Sequence, residues 1–158
     1  MKAEMEQSIK IRGFAHLKIV DPDGRVVGDS GIVQNTITNL GKQHYLAELL
    51  GAIAGSSAVG YAALGTGSAP NVTHTTQDGE LGEAVRKAVS KSQNGSTSVV
   101  FYGTFASTDS FVTATRNLSN IGLWATNTGG SIFAGASYTS SSCGTNQAVN
   151  YTYTITFT

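Results

Sequence analysis

From Val149 to Thr158 the sequence alternates without a break between apolar and small polar side chains. Val149, Tyr151, Tyr153, Ile155 and Phe157 fall on one side; Asn150, Thr152, Thr154, Thr156 and Thr158 fall on the other. Successive side chains of a strand point to opposite faces, so this pattern specifies a β-strand with one dry face and one hydroxyl-lined face. A helix would scatter the five apolar residues around its circumference. The dry face needs a second layer against it, which points to a closed β-sandwich.

The rest of the sequence repeats the theme. Ile9, Ile11, Ala15, Leu17 and Ile19 alternate with Lys10, Arg12, His16 and Lys18, so residues 8–20 read as a strand. Asp21-Pro-Asp-Gly24 closes it with Pro at the second turn position and Gly where positive φ is needed, making 8–28 a hairpin. Further extended segments are expected over 31–36, 59–64, 97–106, 118–125, 131–138 and 149–158. Another should follow a short helical turn within 80–90, and Asn94-Gly95 is the best hairpin signal in the sequence. One amphipathic helix is expected near residues 39–54, capped by Thr38 or Asn39 and ended by Gly55. The expected fold is mainly β: an antiparallel, jelly-roll-like β-sandwich of about eight strands in a single domain, 1–158, with 1–7 as an N-terminal arm.

A protein of 158 residues can bury roughly 70% of its unfolded surface, so no disulfide or metal is needed to hold a core. The single cysteine, Cys143, sits in a polar run, Ser140 to Asn146, and reads as a free thiol at a loop tip. Ten basic residues balance ten acidic ones, and only 13% of residues are charged, against about 25% in ordinary soluble domains. Without concentrated Lys and Arg such a surface is poorly suited to nucleic acid, and it suits a protein whose faces are covered by neighbours. No apolar h-region opens the sequence, and no apolar run approaches a membrane span.

Patterns for chemistry are thin. His16, His44 and His74 have no metal-ligand spacing with one another or with Cys143. Gly65-Thr-Gly-Ser-Ala-Pro70 lacks the Lys-Ser/Thr of a phosphate cradle and reads as a tight turn. Asp21 and Asp23 flank a turn without the series of oxygens that calcium requires. No Gly-x-Ser-x-Gly elbow is present, and no carboxylate pair is placed for glycoside chemistry. Tyr102, Trp124, Phe133, Tyr138, Tyr151 and Tyr153 could stack on sugars, but aromatics in strands more often serve packing. The expectation is a protein that is not an enzyme and takes no cofactor.

Several segments, in order, resemble small structural proteins of tailed-bacteriophage virions. They are Asn35-Thr-Ile-Thr-Asn-Leu-Gly41 leading into a helix, Tyr61-Ala-Ala-Leu-Gly-Thr-Gly-Ser-Ala-Pro70, and Gly79-Glu-Leu-Gly-Glu-Ala-Val-Arg-Lys-Ala88. Leu118-Ser-Asn-Ile-Gly-Leu-Trp124 and Ser131-Ile-Phe-Ala-Gly-Ala-Ser-Tyr138 follow. Trp124 stands where such proteins more often have Phe, and Asn120 replaces an acidic residue. The resemblance implies a β-sandwich virion component with no catalytic residues: a capsid cement (decoration) protein bound to the major capsid protein, or alternatively a tail-tip or tail-fibre adhesin. It also implies a homo-oligomer, trimer or dimer, located in the virion, with neither nucleic acid nor membrane as partner. The absence of heptads and fibrous repeats favours cement. Expected contact residues are Lys10, Arg12 and Lys18 on the first strand, the Arg86-Lys87 pair, and Thr66 and Asn71 in the loop from Gly65 to Asp78.

Overall fold

The computed structural model describes residues 10–42, 58–82 and 85–158. Eleven strands fill it: β1 (Ile11–Val20), β2 (Val26–Asp29), β3 (Val33–Gln34), β4 (Thr36–Ile37), β5 (Tyr61–Gly65), β6 (Lys87–Ala88), β7 (Ser90–Asn94), β8 (Ser98–Phe105), β9 (Arg116–Trp124), β10 (Ile132–Cys143) and β11 (Ala148–Phe157). They form two antiparallel sheets in a sandwich. The first runs β2-β1-β11-β8-β7, with β3 also on β1; the second runs β4-β10-β9-β5-β6.

The terminal alternating segment is β11, at the centre of the first sheet between β1 and β8. Its apolar side delivers Val149, Tyr151, Tyr153 and Ile155 to the core, all at most 3% exposed. Ala15, Leu17 and Ile19 of β1 and Phe101 and Phe105 of β8 join them. The second sheet answers with Ala62 and Leu64 of β5, Leu118, Ile121 and Leu123 of β9, and Ala134 and Ala136 of β10. The β1–β2 turn is as expected: Gly24 takes φ +85 and donates to Asp21, while Asp21 N–H bonds the Arg25 carbonyl.

Strands exceed the expected eight because the backbone switches sheets at both sides of the sandwich. β3 pairs with β1 in the first sheet, and β4, one residue later, pairs with β10 in the second. The pivot, Asn35, donates its backbone N–H to Gly13 and its carboxamide N–H to the Tyr153 hydroxyl (2.6 Å). Any Cβ on Gly13 would overlap the Asn35 side chain, so the crossing needs glycine there. On the other side β6 and β7 make the same crossing through Val89, whose N–H bonds Gly60. Strands that switch sheets form corners, and these two cover the sides of the core.

Two expectations need correcting. Residues 131–138 are only the first part of β10, which runs to Cys143, and Cys143 is fully buried in the core rather than at a loop tip. Between Ser137 and Ser141 β10 advances four residues while β9 advances two, from Asn120 to Leu118. That bulge breaks the alternation from which the strand would have been read. The helix begins as expected at residues 39–42, with Thr38 Oγ1 accepting the Gly41 N–H at 3.0 Å. Its continuation to 54, and the arm 1–7, lie outside the described residues.

Candidate functional site

The two outer faces of the sandwich differ. On the second sheet the outward residues include Ala63 and Gly65 of β5, Asn120, Gly122 and Trp124 of β9, and Ile132 and Gly135 of β10. Most are small, and they form a trough that the loop after β5 fills. Pro70 lies over Gly135 and Gln77 over Gly122, each where a Cβ would otherwise stand. Asn120, fully buried, donates to the carbonyls of Ser68 (3.0 Å) and Asp78 (2.7 Å) and accepts from the Gln77 amide (2.8 Å). Gln77 accepts from the Trp124 indole at 3.1 Å and donates to Ala63 O. Buried polar groups satisfied this fully hold the loop in one position.

Arg86 completes this side. Its guanidinium lies 3.4 Å over the Trp124 ring, grips Glu80 with two nitrogens, and donates to the carbonyls of Thr126 and Gly129. With 6% exposure it is an internal clamp and not the surface contact expected of the Arg86-Lys87 pair. Lys87 is bound by Asp109 at 2.8 Å. Thr66 pairs through its N–H with Gly79, and Asn71 turns its own loop by accepting from Thr73 N–H and Oγ1. Both belong to the covering loop, on the opposite side of the sandwich from Lys10, Arg12 and Lys18.

The outer face of the first sheet has no such cover among the described residues. Four rows cross it: Lys18–Asn150–Thr104, His16–Thr152–Tyr102–Ser90, Phe14–Thr154–Val100–Ser92 and Arg12–Thr156–Ser98–Asn94. Directly opposed residues share a face, and the hydroxyl pair Ser98–Thr156 (2.9 Å) and the Thr104–Asn150 bond (2.8 Å) tie the rows together. Phe14 and Tyr102 are 37% and 44% exposed on this face, on strands either side of β11. Their Cα atoms are therefore on the order of 10–12 Å apart.

Its electrostatics are one-sided. Lys10 just precedes β1, Arg12 and Lys18 lie on it, and the only side-chain carboxylate beside them among the described residues is Asp29 on the neighbouring β2. Asp29 is engaged by the Gly31 N–H (2.8 Å) and by His16 Nε2 (2.6 Å), which hold its carboxyl below the usual range. Arg12 has no carboxylate partner among the described residues, so the face presents net positive charge over hydroxyls and two aromatic rings. The strand pattern revealed Lys10, Arg12 and Lys18. What sequence reasoning missed is that Phe14, on the same face as the charges, stays exposed with them.

Two open recesses lie elsewhere. One of about 550 Å³ is lined by Asp21, Pro22, Ser107, Thr108, Thr145 and Asn146, at the turn end of the sandwich. The other, about 420 Å³, lies in the covering loop beside His74 and Asp78. Among the described residues no three His, Cys, Asp or Glu side chains converge on a metal-sized site. Comparison of the sequence and fold with protein-family models, curated proteins and solved structures found no match.

Proposed function

We propose that this protein is a non-enzymatic structural component of a tailed-bacteriophage virion, a cement protein that stabilises the head shell by docking on the major capsid protein. The observation that carries this reading is the difference between the two outer faces. The longest described loop covers one sheet, and the described residues leave the other uncovered, basic and set with Phe14 and Tyr102. Exposed aromatic and Arg side chains are the residues that interfaces favour, and here they flank the hydroxyls of the central strand β11.

Size bears on how such docking works. Four strands at ~4.8 Å and four rows at ~6.7 Å give a footprint of roughly 500 Å². A standard interface covers about 800 Å² per partner, so this face alone supplies weak binding. Many copies on a regular shell, or an oligomer engaging several sites at once, would multiply it. A protein that binds the assembled shell but not the free subunits stabilises the shell by mass action. The homo-oligomer, the capsid partner and the virion location belong to this proposal.

The test is to add the purified protein to shells lacking it and measure bound copies and the temperature of shell rupture. The reading expects binding in fixed ratio to the capsid subunit and a higher rupture temperature. Binding confined to a few copies per particle would replace it with the second reading, a tail-tip or fibre adhesin. That alternative draws on the same Phe14 and Tyr102, whose rings could stack on sugars. It expects the isolated protein to bind host cells or glycans.

A further inference from the structure

Asn94 is followed by Gly95, the one Asn-Gly in the sequence. It ends β7, an edge strand whose five residues are all exposed, and opens the turn of residues 95–97. Gly95 takes φ +68, and nothing lies within 4 Å of where its Cβ would be. Neither the Asn94 side chain nor the Gly95 N–H has a described partner. Asn120 is buried with both amide atoms engaged, Asn35 is tied to Tyr153, Asn71 to Thr73 and Asn150 to Thr104, and none of the remaining asparagines is followed by glycine.

We propose that Asn94 is a site of spontaneous deamidation in the folded protein, a self-modification whose only co-reactant is water. The Gly95 amide nitrogen, losing its proton to solvent base, attacks Cγ of Asn94. The bond from Cγ to Nδ2 breaks, ammonia leaves, and a five-membered succinimide forms. Water then adds to one of its two carbonyls, opening the ring to aspartate or to isoaspartate. The sum is amide plus water to carboxylic acid plus ammonia, with no electron transfer. Glycine favours the attack because no side chain screens its nitrogen or restricts its backbone.

The product is placed where it changes the molecule's charge pattern. Asn94 ends the row Arg12–Thr156–Ser98–Asn94, so conversion adds a carboxylate to a face that otherwise has Asp29 alone among the described residues. The isoaspartate product also inserts a backbone methylene at the start of the β7–β8 turn.

The experiment incubates the folded full-length protein in mildly alkaline buffer and follows it by ion exchange and peptide mass mapping. An acidic species should accumulate, carrying the amide-to-acid mass gain at Asn94 and a share of isoaspartate. Asn94→Ser should abolish it, and Gly95→Ala should slow it. Conversion only in the urea-unfolded protein, or an acidic species mapping to another asparagine, would overturn the proposal.

Discussion

Arg86 shows how one residue is read correctly as charged and wrongly as exposed. Beside Lys87 in a stretch of alternating small residues, it had every mark of a surface cation. Its partners are distant in sequence: Trp124, the carbonyls of Thr126 and Gly129, and Glu80 six residues earlier. Arg86→Met would leave the Glu80 carboxylate, 13% exposed, without its cation. The expected loss is about 3 kcal/mol in urea unfolding, partly recovered in the double variant with Glu80→Gln. Cys143 was misplaced for a related reason, because its serine neighbours lie past the bulge that resets which residues face inward. Burial pushes its thiol up to about 11, so a thiol reagent should label the native protein far more slowly than the unfolded one. Fast native labelling would place Cys143 at the surface after all.

Two carboxylates, Asp109 and Asp29, tie stability to pH on the acid side. Lys87 and the Ala106 N–H hold Asp109 below its ordinary value of 3.8, as the Gly31 N–H and His16 do Asp29. A carboxyl whose pKa is lower folded than unfolded contributes stability above the unfolded value, and that contribution is lost as pH falls through the folded one. Melting temperature should therefore drop as pH is taken below about 4, and Asp109→Asn should flatten part of that drop. An unchanged profile in the variant would exclude Asp109 from it.

At the scale of elements, β1 and β11 were legible from their period of two, with their core positions as expected, whereas β8 was legible only as a strand because Val99-Val-Phe-Tyr102 is apolar on both faces. The sheet switches were not legible, because two-residue strands such as β3, β4 and β6 are too short to show a period. The runs Ile121-Gly-Leu123 and Ala134-Gly-Ala136 make sense only in three dimensions: their outer residues point into the core while Gly122 and Gly135 lie beneath Gln77 and Pro70. Gly122→Ala should cost roughly 1–3 kcal/mol by forcing Gln77 off the sheet, and less where Gln77 is already alanine. Equal costs in both backgrounds would mean the loop does not rest there. Amide exchange should be slowest in β11, β9 and the central part of β1, and fastest in the edge strands β2 and β7.

For the whole molecule, the candidate site was half legible. The basic residues of β1 could be assigned a common side from alternation alone. That the described residues leave this side open while the other is covered depends on where the 66–79 loop lands, which no local pattern encodes. A sandwich whose described residues leave one basic face uncovered fits a protein that docks on something larger. The most direct measurement is co-sedimentation with shells lacking this protein, comparing wild type with Arg12→Glu/Lys18→Glu and with Phe14→Ser, and Asn71→Ala on the covered side as control. The account predicts that wild type and the control bind in proportion to the capsid subunit while both face variants lose at least about tenfold in affinity, the equivalent of about 1.4 kcal/mol. Undiminished binding by the face variants, or loss in the control alone, would contradict it.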